Sequence, residues 1–289
     1  MITIGADPEF FIIDARTGNF VPACGRFGGT KEEPVRYPGK NGYDIRYHED
    51  NVALEVGFKE QSNLDQFTRA MTYSMDCLDN ICAERGLELA RGGYHEWNFS
   101  PEDLQSDQAQ RFGCDPDFDA YTGGQQRPSP PDFGNWRYTG GHIHLGGKFN
   151  CPPFVTAMFM DIALGLTMSQ AGVVNACNNR GNWYGQPGIF RPKPYGIEYR
   201  SPTNNWCLTY SRTYRVGHNC IQLGKYLEKT PAAQLRKDFQ AVDWFKVRNV
   251  LTTPYRETTQ PDHSAILNTF TELTNDHEFI RKLELSTGG

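Results

Sequence analysis

Four short runs in this chain carry charged or imidazole side chains at alternate positions. They are GADPEFF with Asp7 and Glu9, NVALEVGF with Glu55, GGHIHLGG with His142 and His144, and YGIEYRSP with Glu198 and Arg200. In an extended strand residues i and i+2 share a face. Val52, Leu54, Val56 and Phe58 then point one way and Ala53, Glu55 and Gly57 the other; Ile143 and Leu145 oppose the two histidines, and Ile197 and Tyr199 oppose Glu198 and Arg200. The pattern predicts a sheet with one face on the core and Asp, Glu, His and Arg on the other. The wet face of an ordinary antiparallel sheet is usually Thr, Lys, Gln and Ser, so the set reads as a site. The bland readings are a Glu198–Arg200 surface pair worth at most about 1 kcal/mol, an Asp7 turn cap through Pro8, and a structural bridge from Glu55. Pro8, which cannot donate to a ladder, marks its strand as an edge or a bulge.

The remainder of the chain surrounds this sheet. Ser62 precedes Leu64, Phe67, Met71, Met75, Leu78 and Cys82 at helical spacing, closed by Gly86, which predicts an amphipathic helix. The stretch from about Arg91 to Arg137 is rich in Gly, Pro and Asp and is read as the wall or lid of a site, with a surface excursion as the alternative. Within it, Asp115, Asp117 and Asp119 read as a solvated acidic loop, or secondarily as contacts to a substrate amine. The run PPFVTAMFMDIALGLTMSQAGVV is apolar almost all round; Asp161, two glycines and its Thr, Ser and Gln residues favour a buried central helix over a membrane span. Further helices follow around 211–228 and towards the C-terminus. A chain of 289 residues can bury one substantial core, and we expect a single domain over 1–289 with a C-terminal helical part from about 208.

Composition narrows the partners. The net charge is −5 and no run of five like charges occurs, so the electrostatic footprint of a nucleic-acid binder is missing; a small-molecule or peptide partner is expected, with no nucleic acid and no membrane. The opening MITIGADPEFFIID has no basic segment or apolar run of signal-peptide length, from which an intracellular protein is expected. The 8 cysteines, without a CxxC pair, read as reduced and mostly buried thiols rather than a zinc ribbon.

Carboxylates gathered on one face repel unless cations neutralise them, and Mg²⁺ or Mn²⁺ take oxygen ligands with an occasional imidazole. An arginine beside them suits a transferring phosphoryl group. Common nucleotide motifs do not account for the set: HIHLGGK has histidine where a Walker A motif leads with glycine, and phenylalanine follows its lysine. Nor does the surrounding sequence supply the further residues that a cupin or an amidohydrolase barrel would need.

The ordered succession GADPEF, NVALEVGF, GCDPDFDAYTG, GGHIHLGG and RPKPYGIEYRSPTNNW, from residue 5 to about 210, resembles the phage-associated type 2 carboxylate-amine ligases, a branch of the glutamine synthetase and glutamate-cysteine ligase superfamily. The resemblance implies an α+β fold whose antiparallel sheet floors a funnel-shaped site, with helices packed on the other face. It implies ATP and Mg²⁺ or Mn²⁺ as cofactors, a carboxylate and an amine as substrates, and amide-bond formation through an acyl phosphate. Carried over by position, Asp7, where the superfamily usually has glutamate, joins His142 and Glu198 on the ion that bridges the phosphates. Glu9 and Glu55 share the ion nearer the substrate. His144 contacts a phosphate oxygen or orients a ligand, Arg200 stabilises the γ-phosphoryl group, and Arg191 grips the substrate carboxylate or a phosphate. The base that accepts the amine's proton is open between Asp50 and Asp117. A phage-encoded enzyme of this kind would act in the host cytoplasm. A metal-dependent hydrolase working without ATP and a non-catalytic phage protein are the rival classes.

Overall fold

The computed structural model describes residues 1–37, 42–111, 117–126, 134–168 and 184–252. Nine strands form one sheet. In spatial order they are Gln125–Gln126 (β10), Asp117–Asp119 (β9), Ile189–Lys193 (β13), Gly196–Tyr199 (β14), Gly141–Gly146 (β12), Thr3–Phe10 (β1), Ala53–Phe58 (β6), Ile45–Asp50 (β5) and Val35–Tyr37 (β4). Every neighbouring pair is antiparallel. Ile12–Asp14 (β2), Phe20–Val21 (β3) and Leu87–Leu89 (β7) make a small second sheet, and Glu96–Asn98 (β8) pairs with Trp136–Tyr138 (β11). The helices are Leu64–Ala83 (α1), Asp107–Gln110 (α2), Pro153–Met160 (α3), Tyr210–Lys229 (α4), Ala232–Ala241 (α5) and Trp244–Thr252 (α6).

Strand alternation does what the sequence pattern requires. Ile4, Phe10, Leu54, Val56, Ile143, Leu145, Ile197 and Tyr199 are buried in one core with Phe67, Met71 and Leu78 of α1 and Leu223 and Leu227 of α4. Fully burying each such aliphatic side chain is worth about 1.5–3 kcal/mol, so a one-residue slip of any central strand would expose its apolar row. Val52 departs from the expected row: it precedes β6, in the turn where Asn51 has φ 56°, and packs with Phe11 and Phe99 in a smaller cluster.

Pro8 lies in a central strand, not an edge. It pairs with Gly141 on one side. Glu9 N–H donates to Gly140 on that side and Ile4 N–H to Gln61 on the other, so the proline's missing donor faces β6. There the register shifts by one residue between the Glu9↔Glu55 pair and the Ile4↔Gln61 bridge. The irregularity that accommodates proline is in the partner.

Several local expectations are corrected. The N-cap of α1 is Asn63, whose side chain accepts from Gln66 N–H at 3.1 Å, rather than Ser62; Gly86, at φ 68°, follows its end as expected. The helix starting at Pro153 leaves α geometry after Met160 and continues as a π-helical turn over Asp161–Leu166; residues 169–174 of that run lie outside the described residues. The glycine-rich middle stretch is not all loop, because β9 and β10 extend the main sheet and β8 pairs with β11. Cys114, Asp115, Cys177 and the C-terminal pieces beyond 252 are likewise outside the described residues. The six described cysteines are free thiols. No helix among the described residues is long and apolar enough to cross a membrane.

β5 escapes a sequence reading because its third inward residue is Glu49, which breaks the apolar alternation begun by Ile45 and Tyr47. The Glu49 carboxylate accepts the backbone N–H groups of Gly25, Phe27 and Gly28 at 2.8, 2.7 and 2.7 Å, and Gln108 Nε2 at 3.2 Å. Burial alone would raise its pKa, and these donors together bring it below the ordinary glutamate value. A depressed carboxylate stabilises the fold above its unfolded pKa and loses that contribution as pH falls through the folded value. Glu49→Gln should therefore cost about 1–3 kcal/mol at neutral pH, with the gap to wild type closing below about pH 4, as measured by urea unfolding across pH.

Candidate active site

The face opposite the core carries the polar residues. Register sets Asp7 opposite His142, His144 opposite Glu198, Glu198 opposite Arg191, Glu9 opposite Glu55 and Glu55 opposite His48. Five neighbouring strands thus bring all eight residues expected from the sequence onto one surface. Ligand atoms of Asp7, His142 and Glu198 lie within 4.8 Å of one another, as do those of Glu9, Asp50 and Glu55.

Around the first set, cations and imidazoles compensate the acids. Glu198 is buried and meets Arg200 Nη1, Lys193 Nζ at 2.7 Å and Arg191 Nη1 at 3.5 Å. Burial would raise its pKa, and the adjacent Arg200 with the two histidines outweighs burial, bringing Glu198 down to about 2. Asp7 receives His144 Nε2 at 3.0 Å and lies 3.4 Å from His142 Nδ1; despite burial, the two imidazoles hold it well below the usual carboxylate range. Its Oδ1 is buried without a well-formed hydrogen bond. His144 Nδ1 meets the Tyr195 hydroxyl. Burial disfavours the charged ring, yet Asp7 raises His144 above its ordinary value.

His142 is enclosed by polar neighbours. Its Nδ1 lies 3.1 Å from Arg200 Nη1, 3.4 Å from Asp7 and 3.6 Å from Glu9, and its Nε2 meets Tyr184 Oη at 2.6 Å. Close approach of backbone makes this possible: a Cβ on Gly140 would lie 2.4 Å from His142 Nε2 and 3.1 Å from Tyr184 Oη. Gly140 N–H also donates to Glu9 Oε2 at 2.7 Å.

The second set has fewer compensating charges. Burial first, then repulsion from Asp7, Asp50 and Glu9, pushes Glu55 well above the usual carboxylate range, and burial likewise raises Glu9. His48 Nε2 is 3.8 Å from Glu55, and burial lowers the pKa of that histidine. Three oxygen-bearing acids facing one another, one strongly disfavoured as an anion, fit a hard divalent cation.

Asp117 and Asp119 are buried in β9, not solvated in a loop. One oxygen of Asp117 lies 2.8 Å from Arg191 Nε and 3.0 Å from Arg200 Nε, so its charge is committed to holding both guanidinium groups. A cavity of about 480 Å³ opens beside the carboxylates, walled by Asp7, Glu55, His144 and Tyr195 and reached by Lys31 and Lys59.

Sequence reasoning did not assign Asp50 to the acid cluster, nor Lys193, Tyr184 and Tyr195 to the site. Lys193 shares the parity of Arg191, and the turn between β5 and β6 places Asp50 and His48 beside Glu55; both signals were available. Tyr184 comes from outside the strands and leaves no local pattern.

Residues 132–240 match the family model described as phage phiEco32-like COOH.NH2 ligase-type 2. The resemblance to the phage-associated type 2 ligases is borne out over GGHIHLGG and RPKPYGIEYRSPTNNW, and the motifs before residue 132 lie outside the match. The matched segment contains His142, His144, Arg191, Glu198 and Arg200, whereas Asp7, Glu9, Asp50, Glu55 and Asp117 precede it. No curated protein matches the chain. A solved structure described as apo GmaS without ligand aligns with 98% of this chain at 12% identity and a TM-score of 0.40, and the chain spans 65% of that protein's length.

The Asp7–His144 pair gives a direct check. A histidine raised by an acidic partner stays protonated above the ordinary value of 6.5. In chelator-treated protein, NMR titration should place His144 above that value, and Asp7→Asn should move it down; an unchanged titration would contradict the pairing.

Proposed function

We propose that the protein is an ATP- and Mg²⁺- or Mn²⁺-dependent carboxylate-amine ligase that forms an amide bond through an acyl phosphate. The observation that carries this reading is the presence of two adjacent acid-rich ligand sets on one sheet face, flanked by two arginines, in a chain whose 132–240 segment matches a ligase family model. We read the sheet as the floor of a glutamine synthetase-like funnel and residues 1–289 as one ligase domain, its C-terminal part helical. Its substrates are a small-molecule or peptide carboxylate and an amine.

In this reading Asp7, His142 and Glu198 would hold one divalent ion and Glu9, Asp50 and Glu55 a second. Such ions, when bound, offset the charge of phosphoryl oxygens and of the acids themselves. The buried Asp7 Oδ1 and the neighbouring Nδ1 of His142 fit that role. ATP is the phosphoryl donor, and the cavity beside Asp7 and His144, with Lys31 and Lys59 at its wall, suits its polyphosphate. Arg200 and Arg191, held by Asp117, face the charge that grows as the substrate carboxylate attacks the γ-phosphorus. Attack by the amine on the acyl phosphate releases phosphate and leaves the amide. Asp50 belongs to the second ligand set and Asp117 pairs with two arginines, so this reading assigns the proton-accepting role to neither.

Calorimetry with ATP, with and without Mg²⁺, tests the reading. Wild type should bind ATP in a metal-dependent manner, and Glu198→Ala should weaken that binding at least tenfold, about 1.4 kcal/mol. Folded wild type that binds no ATP yet hydrolyses amides with metal alone would contradict the ligase reading.

A further inference from the structure

A second buried cluster lies on the hidden face of the sheet, directly beneath the arginine-bearing strands. Asp161, fully buried at the start of the π-helical turn after α3, accepts the Tyr199 hydroxyl and Gly188 N–H (2.9 Å) on Oδ1 and the Tyr121 hydroxyl (2.7 Å) on Oδ2. Among the described residues it forms no ion pair, and Arg248 is the cation that acts on it electrostatically. Burial pushes its pKa up to about 7, and removing a carboxylate from water without a paired charge is costly. A group retained under that penalty, at a helical irregularity of the kind that recurs at functional sites, calls for a role.

Its three partners supply one. Tyr199 sits in β14 between Glu198 and Arg200, its side chain on the core face and theirs on the other. Gly188 immediately precedes β13, which carries Arg191 and Lys193, and its φ of 78° with the Tyr121 ring 2.7 Å from any Cβ admits only glycine. Tyr121 follows β9, which carries Asp117; its backbone N–H donates to Asp119, and Arg248 of α6 pairs with Asp119 at 2.9 Å while lying over the Tyr121 ring. Ala120 N–H to Gly188 O (3.0 Å) and Arg200 N–H to Ile189 O (2.9 Å) close the corner.

We propose that Asp161 is a positioning residue: by tying β9, β13 and β14 together from below, it sets the relative placement of Asp117, Arg191, Glu198 and Arg200 on the face above. This deepens the reading of that face as the ion and phosphoryl site and rests on it for its functional meaning, although the geometric effect can be read without metal.

Two measurements on Asp161→Asn and Tyr199→Phe test it, with Met75→Ala in α1 as a core truncation of comparable loss in Tm. In metal-free protein, NMR of arginine Nε–H groups should show Arg191 and Arg200 as slowly exchanging signals, assigned with Arg191→Lys and Arg200→Lys. Both test variants should shift and speed up these signals while Met75→Ala leaves them unchanged. Mn²⁺ affinity, measured well below each Tm, should fall about tenfold in the two variants and stay at the wild-type value in Met75→Ala. Arginine signals like wild type in Asp161→Asn would overturn the inference whatever the metal result. Wild type that binds no Mn²⁺ would instead contradict the ion site, and the inference would stand or fall on the arginine signals.

Discussion

Electrostatic repulsion among buried and half-buried carboxylates is the constraint that organises this molecule. Asp7, Glu9, Asp50, Glu55, Asp117 and Glu198 converge on a few strands, and all the surrounding chemistry responds to them. Where guanidinium, ammonium or imidazole groups reach the acids, as at Glu198 and Asp7, the anions are stabilised despite burial. Where burial and neighbouring acids outweigh the nearest imidazoles, as at Glu55 and Glu9, the charged form is disfavoured. The same face is therefore divided into a half whose acids the protein holds as anions and a half whose acids it does not, and each half presents a set of ligand atoms that could hold a cation.

The rest of the fold makes that crowding sustainable. Period-two alternation commits one face of each central strand to the core, so the acids cannot escape by a slip in register without exposing Ile, Leu and Val. Gly140 lets the backbone approach Glu9 and His142 closely, and Asp117 fixes two arginines through a single oxygen. Beneath the sheet, a buried acid engages two tyrosine hydroxyls and a backbone N–H, so polar anchoring exists on both sides of the strands that hold the arginines.

Much of this was legible in the chain itself. The four alternating runs identify the central strands and which side of each bears chemistry, because the signal is local and repeated in GADPEFF, NVALEVGF, GGHIHLGG and YGIEYRSP. What could not be read depends on partners distant in sequence. β9 is three residues long and is a strand because β13 and β10 lie on either side of it, so Asp117 reads as a loop acid until its neighbours are seen. β5 hides behind Glu49, whose partners are backbone N–H groups about twenty residues upstream. Tyr184 reaches His142 and Arg200 from outside any strand, and Asp161 reads as a lone polar residue in an apolar run until Tyr121 and Tyr199 are placed around it. Pro8 shows the limit of a local rule: it does require an irregular ladder, but the irregularity lies in the neighbouring strand.

The most direct test of the account is a crystal structure of wild-type protein soaked with Mn²⁺, with data collected at the manganese absorption edge. The account predicts two anomalous peaks, one among Asp7, His142 and Glu198 and one among Glu9, Asp50 and Glu55. Well-ordered crystals with no peak at either set, and with the acids held only by protein donors, would contradict it.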